Sequence, residues 1–142
     1  MKFAFYKKKS TLLDRIICWW ERGQYSHVEA ILSVNDDATF TIASSVPGTG
    51  VRITTCSMSC DEWDIIEGPG DVETVRAWFA NREGLPYDYR GLFGFVLRPT
   101  VGEDKGKYFC SEACATAIGM QEPWRFDPNA FADALRLTNV SQ

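Results

Sequence analysis

Cys110 and His27, the only histidine of the chain, have the chemistry of a nucleophile and its general base. A polar loop leads to Tyr108 and Phe109, and Cys110 follows at the predicted start of a helix. Unpaired N–H groups and the helix dipole favour negative charge there, so they stabilise a thiolate. The same N–H groups can donate to the oxyanion that forms when sulfur attacks a carbonyl. A histidine accepts the thiol proton near neutral pH and later protonates the leaving group.

Each residue also has an ordinary interpretation. A single cysteine is more often a small buried side chain than a nucleophile, and a single histidine is often an incidental surface or hydrogen-bonded residue. The linear sequence does not show whether Cys110 and His27 are neighbours in space. Residue types alone therefore leave their pairing as one hypothesis among several.

A strand predicted over residues 25–34 sets the direction of His27, because apolar residues recur at every second position. The even positions, predicted to face a core, are Val28, Ala30, Leu32 and Val34. The odd positions, predicted to face the other side, are His27, Glu29, Ile31 and Ser33. Because Glu29 shares a face with His27, its carboxylate can reach back and orient the imidazole. The simpler interpretation of Glu29 is a solvated strand carboxylate. Alternative orienting groups on the next strand are Thr39, Thr41, Ser44 and Ser45.

The remaining pattern predicts one compact α+β domain over residues 1–142. An edge strand is expected at residues 2–6, and further strands are expected at 39–44, paired with the histidine strand as a hairpin, and at 51–55 and 63–66. A helix capped by Ser10 or Thr11 should run to about Arg22, with Gly23 as its stop. Its apolar residues, expected to form a buried face, are Leu12, Leu13, Ile16, Ile17 and Trp20. Further helices are predicted over 72–81 (capped by Asp71), 110–118 and 128–137, with a packed connection over 85–98 and a polar loop over 100–107.

Composition excludes some classes of partner. A net charge of −4 and a pI of about 5.0 argue against nucleic acid, which requires a concentrated basic face. The cluster Lys7-Lys8-Lys9 is more typical of a solvated loop than of a contact with an anionic surface. No segment approaches the roughly 20 apolar residues of a membrane span, and the N-terminus does not resemble a signal peptide. Five cysteines lack the density of a secreted disulfide framework, so a reducing, cytoplasmic location is expected.

Two other functions compete with catalysis. The equally spaced pairs Cys56/Cys60 and Cys110/Cys114 could supply four thiolates to a structural zinc ion. On a helix, however, Cys114 shares a face with Cys110 and is simply a core residue behind it. A non-catalytic binding module is the other alternative. The aromatic segment at Tyr87, Asp88 and Tyr89 could line a cleft, with a tyrosine hydroxyl near the oxyanion, although loop packing is its simpler interpretation.

Four segments in a fixed order resemble a known family. They are Tyr25-Ser26-His27-Val28-Glu29, Gly50-Val51-Arg52, the aromatic run at residues 86–95, and Phe109-Cys110-Ser111-Glu112. Together they are similar to the circularly permuted NlpC/P60 group, the YaeF/YiiX-type papain-like amidases, and in particular to its short bacterial and phage members. In ordinary NlpC/P60 enzymes the cysteine helix precedes the histidine strand, and here the histidine comes first. The resemblance extends from about residue 2 to residue 120 and is looser between 56 and 84.

This resemblance implies a permuted papain-like antiparallel sheet packed against helices, one of which carries Cys110 at its N-terminus. It implies a cysteine peptidase, amidase or acyl hydrolase that cuts or transfers an amide or ester acyl group through a Cys110 thioester. The implied catalytic pair is Cys110 and His27, with neither a cofactor nor a metal. In the papain-like arrangement the orienting group usually comes from the neighbouring strand, but Glu29 is predicted as the third catalytic residue because it shares a strand face with His27. The expected substrate is a small peptide, a peptidoglycan fragment or an acyl lipid.

Overall fold

The computed structural model describes residues 1–90 and 106–140, and this part of the chain contains five strands and four helices. The strands are β1 (Lys2–Tyr6), β2 (His27–Val34), β3 (Phe40–Val46), β4 (Gly50–Cys56) and β5 (Trp63–Glu67). The helices are α1 (Leu12–Trp20), α2 (Val72–Ala80), α3 (Cys110–Ala117) and α4 (Pro128–Val140). A 3-10 turn covers Pro123–Arg125. The predicted α+β class is confirmed. The last helix extends beyond its predicted end, and residues 91–105, with most of the predicted aromatic connection and polar loop, lie outside the described residues.

The strands form one antiparallel sheet in the order β4-β3-β2-β1-β5. The predicted hairpin is present, with Ala30 of β2 opposite Ala43 of β3. The prediction that β1 lies at an edge was wrong, because it pairs with β2 on one side and β5 on the other. Phe3, Ala4 and Phe5 are all fully buried, so both faces of this strand are covered.

Helices cover one face of the sheet and form the main core there. Val28, Ala30 and Leu32 of β2 are buried against it, as their alternation predicts. Val34 is an exception, since it is 67% exposed at the end of the strand. Helix α3 packs directly on β2 and β3, and its Cys114 is a fully buried core residue. This packing places the start of α3, at Cys110, near β2, whose first residue is His27.

Helix α1 differs from its prediction. Thr11 caps it through a reciprocal pair of bonds with Asp14, and the helix ends at Trp20 rather than Arg22. Arg22 itself has a left-handed φ of 51°, so the chain leaves the helix before Gly23. Only Ile17 and Cys18 are buried, and most of the predicted apolar face is exposed. The helix therefore packs through a different side from the one its apolar stripe predicts.

Within the described residues, no helix has the length and apolar character needed to cross a membrane.

Candidate active site

The fold brings together the two residues that the sequence predicts as nucleophile and base. Cys110 is the first residue of α3, and Phe109 before it provides no side-chain cap, while the Phe109 N–H donates to Glu112 Oε2 at 3.3 Å. His27 is the first residue of β2, and its ring is close enough to the Cys110 side chain for the two to interact electrostatically. Burial lowers the pKa of His27, but the negative charges of Cys110 and Glu29 and their hydrogen bonds outweigh it and raise the pKa to about 10. The arrangement favours the protonated, imidazolium form of His27.

Glu29 contacts the other side of the same ring. Its Oε1 lies 2.8 Å from His27 Nε2, which leaves Nδ1 as the ring nitrogen that can serve Cys110. The Glu29 side chain is only 2% exposed, so its interpretation as a solvated strand carboxylate was wrong. A buried carboxylate of this kind fixes the orientation of an imidazole and stabilises its protonated form.

Arg52 is a member of this cluster to which the sequence reasoning gave no role. Its Nη2 donates to Glu29 Oε1 at 2.7 Å, across the strand β3 that separates β4 from β2. The positive charge compensates the buried carboxylate. Arg52 stands in the segment Gly50-Val51-Arg52 that the family resemblance uses, and that was its only signal. From the sequence alone, an arginine on a strand cannot be distinguished from an ordinary surface arginine, because its partners depend on the strand order.

The four alternative orienting residues make their hydrogen bonds elsewhere. Among the described residues, none of the bonds of these side chains goes to His27. Thr39 and Thr41 contact the turn that joins β2 to β3. Ser44 donates to the Val28 carbonyl at 2.7 Å. Ser45 donates to the Tyr108 carbonyl at 2.6 Å, which anchors the backbone just before Cys110 to the sheet.

Tyr87 lies beside this cluster. The backbone around Tyr87 pairs with Tyr108, and its ring packs against Ile17 and Phe109 while also lining a cleft. Burial raises the pKa of the Tyr87 hydroxyl well above its ordinary value, and the charge of Cys110 adds to this effect. The hydroxyl therefore stays protonated and can act as a donor.

The neighbours of Tyr87 have packing roles, as the simpler interpretation of this segment predicts. Asp88 is buried and accepts a hydrogen bond from the Arg90 N–H at 3.0 Å. The Tyr89 hydroxyl accepts one from the Gly48 N–H at 2.9 Å. The Asp88 contact stabilises the backbone of this segment itself, and the Tyr89 contact joins the segment to the β3–β4 turn.

A cleft of about 420 Å³ passes His27 and Glu29. Its apolar lining consists of Tyr6, Leu13, Ile17, Val46, Pro47, Trp63 and Tyr87, and its polar lining of Ser10, Asp14, Ser26 and Arg52. The Trp63 ring stands edge-on to the imidazole of His27, with 6.4 Å between centroids. Cys110 is only 2% exposed, so the cleft reaches the imidazole rather than the sulfur.

The structure does not assemble the four cysteines considered for zinc. Cys110 and Cys114 belong to the main core, whereas Cys56 packs with Ile31 and Ile42 on the opposite face of the sheet. Cys60 is exposed. Within residues 1–90 and 106–140, no three histidine, cysteine or acidic side chains come together as metal ligands.

No protein-family model matches the sequence, and none of the curated proteins compared with it is significantly similar. The case for a function therefore depends on the geometry of the site and on the order of its motifs.

Proposed function

We propose that the chain is a cysteine hydrolase with a permuted papain-like fold, related to the NlpC/P60 group, in which Cys110 is the nucleophile and His27 the general base. The observation that carries this proposal is the position of His27 between two partners. One side of its ring faces a cysteine at a helix start, and the other is hydrogen bonded to the buried carboxylate of Glu29. This is the nucleophile–base–orienting group arrangement of acyl-transfer enzymes.

The reaction follows from these positions. The Cys110 thiolate attacks the carbonyl carbon of an amide or ester, and the carbonyl electron pair moves to the oxygen. In this proposal, first-turn N–H groups of α3 and the Tyr87 hydroxyl donate to that oxyanion. The His27 imidazolium then protonates the leaving nitrogen or oxygen as the tetrahedral intermediate collapses to a thioester. In the second half, neutral His27 accepts a proton from water as the water oxygen attacks the thioester. Collapse of the tetrahedral intermediate releases the acid and the Cys110 thiolate, which restores the thiolate and the His27 imidazolium.

The chain order supports the permuted relationship, because the histidine strand β2 precedes the cysteine helix α3 and the helix packs on an antiparallel sheet. The mainly apolar walls of the cleft suit an acyl chain or an apolar side chain, and the proposal requires the scissile carbonyl to pass from this cleft beside His27 to the 2% exposed Cys110. A reducing, cytoplasmic location is part of the proposal, because the five cysteines lack the density of a secreted disulfide framework.

Selective alkylation tests the proposal, because Cys60 provides an internal comparison. Cys60 is exposed and Cys110 is buried, so simple accessibility predicts faster labelling of Cys60. Activation by His27 predicts the reverse at mildly acidic pH, where ordinary thiols are protonated. We expect iodoacetamide to modify Cys110 first, and we expect His27→Ala to abolish that preference.

Turnover is then measured with fluorogenic acyl esters and peptidyl amides, using Cys110→Ala as the inactive variant and Cys60→Ala as the matched control. Hydrolysis that persists in Cys110→Ala would reject Cys110 as nucleophile. If Cys110 reacts no faster than Cys60 and His27→Ala changes nothing, a non-catalytic binding module becomes the better description.

A further inference from the structure

Helix α1 carries an exposed apolar face. Four of its side chains are large, apolar and open to solvent, namely Leu12 (73% exposed), Ile16 (45%), Trp19 (74%) and Trp20 (45%). With 3.6 residues per turn, these positions share an arc of about 100° on the helix surface. The indole rings of Trp19 and Trp20 contact each other edge to face, with centroids 5.9 Å apart. We call this set of four residues the α1 apolar face.

The charges around the α1 apolar face are positive. Lys9 precedes the helix, Arg15 borders the face, and Arg22 follows the helix, and all three are exposed. Within residues 1–90 and 106–140, none of the three takes part in an ion pair. By contrast, Lys7 and Lys8 pair with Asp64 and Glu62.

The acidic residues of this region are turned away from the face. Asp14 accepts hydrogen bonds from Thr11, Ser10 and Ser26 on the packed side of the helix. Glu21 accepts one from Asn129 Nδ2 at 3.0 Å. Burial, with the nearby charge of Asp127, raises the pKa of Glu21 to about 8, so this side chain is mostly uncharged at neutral pH. The outward charge of α1 and its two ends is therefore cationic, although the whole chain carries −4.

We propose that the α1 apolar face is a docking surface for anionic lipid membranes. Tryptophan side chains favour the boundary between headgroups and acyl chains, and flanking Lys and Arg side chains interact with anionic headgroups. A second copy of the chain fits less well, because symmetric pairing of this face would bring Arg15 and its cationic neighbours against their own equivalents. The helix would lie in the membrane surface.

This surface is continuous with the candidate active site. Leu13 and Ile17, on the adjoining side of α1, line the cleft that passes His27. Membrane docking would thus place the cleft mouth within about one helix diameter, roughly 10 Å, of the lipid surface. The docking proposal does not depend on catalysis by Cys110.

Co-sedimentation with vesicles tests the proposal. We expect the full chain to bind vesicles of phosphatidylcholine with phosphatidylglycerol more tightly than vesicles of phosphatidylcholine alone. A Trp19→Ser, Trp20→Ser double variant should lose about tenfold or more of this affinity, since two apolar side chains no longer leave water. An Arg15→Glu, Arg22→Glu variant should lose the preference for anionic lipid. The matched control is Val34→Ser, an apolar position at the far end of β2 whose 67% exposure lies between those of the two tryptophans.

Three results would overturn the proposal. The first is binding by the double tryptophan variant equal to that of the original chain, and the second is equal binding to neutral and anionic vesicles. The third is a dimer in gel filtration that the double variant converts to a monomer, which would assign the face to a second copy. Thermal unfolding monitors the fold of every variant. Cys110→Ala should bind vesicles normally, so failure of the proposed hydrolase and failure of the docking surface are separate outcomes.

Discussion

Arg52 Nη2 and His27 Nε2 contact the same oxygen of Glu29, Oε1, at 2.7 and 2.8 Å. The contact joins Arg52 of β4 to Glu29 and His27 of β2, and the ring of His27 in turn interacts with Cys110 at the start of α3. Arg52 and His27 thus provide two cationic partners for a Glu29 side chain that is only 2% exposed. Arg52 therefore belongs to the candidate site, although β3 lies between its own strand β4 and β2.

Removing Arg52 should take away one of the two cationic partners of the buried Glu29 carboxylate and leave His27 as the other. We expect Arg52→Met to lower the free energy of unfolding by about 2 kcal/mol or more, and to slow alkylation of Cys110 because Glu29 no longer holds His27 firmly. Arg52→Lys should recover most of both properties. Only Nη2 reaches Glu29, and Nη1 is buried with no hydrogen-bond partner in the described part of the chain, so one donor is enough. Urea unfolding and alkylation rates measure the two effects; equal losses in both variants would contradict the ion-pair role.

The pH dependence of His27 can be followed without ambiguity, because it is the only histidine. Its pKa is raised from 6.5 to about 10, since the charges of Cys110 and Glu29 outweigh the effect of burial. The imidazolium therefore stabilises the folded state fully below about pH 6.5, and this contribution disappears as pH rises through about 10. Because His27 does not titrate near pH 6.5, we expect the rate of Cys110 alkylation to show no His27-dependent change around that pH.

Glu29→Gln removes one of the two negative charges and should lower the pKa of His27, which shifts loss of the imidazolium to lower pH. Cys110→Ala should lower it as well. Nuclear magnetic resonance of a histidine-labelled chain measures both shifts, with Glu73→Gln on the exposed side of α2 as the control. A His27 pKa that is unchanged in both variants would show that neither neighbour sets it.

Tyr87→Phe tests the proposed oxyanion donor. Loss of one donor of this kind typically lowers kcat by about 100-fold, whereas the ring keeps its packing against Ile17 and Phe109. We expect kcat to fall while KM and the unfolding midpoint change little. Tyr89→Phe is the matched control, because its hydroxyl contacts the Gly48 N–H outside the site. Full activity in Tyr87→Phe would limit Tyr87 to a packing role and leave oxyanion binding to the helix start.

The sequence predicted those features of the fold that depend on local pattern. Alternation along residues 27–33 correctly put Val28 and Ala30 in the core, and it placed His27 and Glu29 side by side. Features that depend on strand order were out of reach, since nothing near residues 2–6 indicates that β5 pairs with them. The contact of Arg52 with Glu29 was hidden for the same reason. The prediction that the apolar face of α1 is buried was wrong, because an apolar helix face can be exposed as well as packed in a core.

The close approach of Gly50 to Leu85 gives a last prediction, with Gly48 as an unusually well matched control. Both glycines have φ of +81°, so an alanine at either position bears the same left-handed cost of about 1 kcal/mol. A Cβ at Gly50 would lie 2.0 Å from the Leu85 carbonyl oxygen, whereas one at Gly48 would have no atom within 4 Å. Gly50→Ala should therefore lower the free energy of unfolding by about 1–3 kcal/mol more than Gly48→Ala.

The clash at Gly50 should also displace residues of the candidate site, because both backbones that it pushes apart lead to that site. Gly50 begins the strand that carries Arg52, and Leu85 begins the short segment that leads to Tyr87, where the Val51 N–H donates to the Leu85 carbonyl at 2.9 Å. Separating the two backbones displaces the ion pair with Glu29 and the Tyr87 ring together. We expect Gly50→Ala to slow alkylation of Cys110 under conditions where the variant is still folded, and Gly48→Ala to leave the rate unchanged. Equal rates in the two variants would show that this contact stabilises the fold without positioning the site.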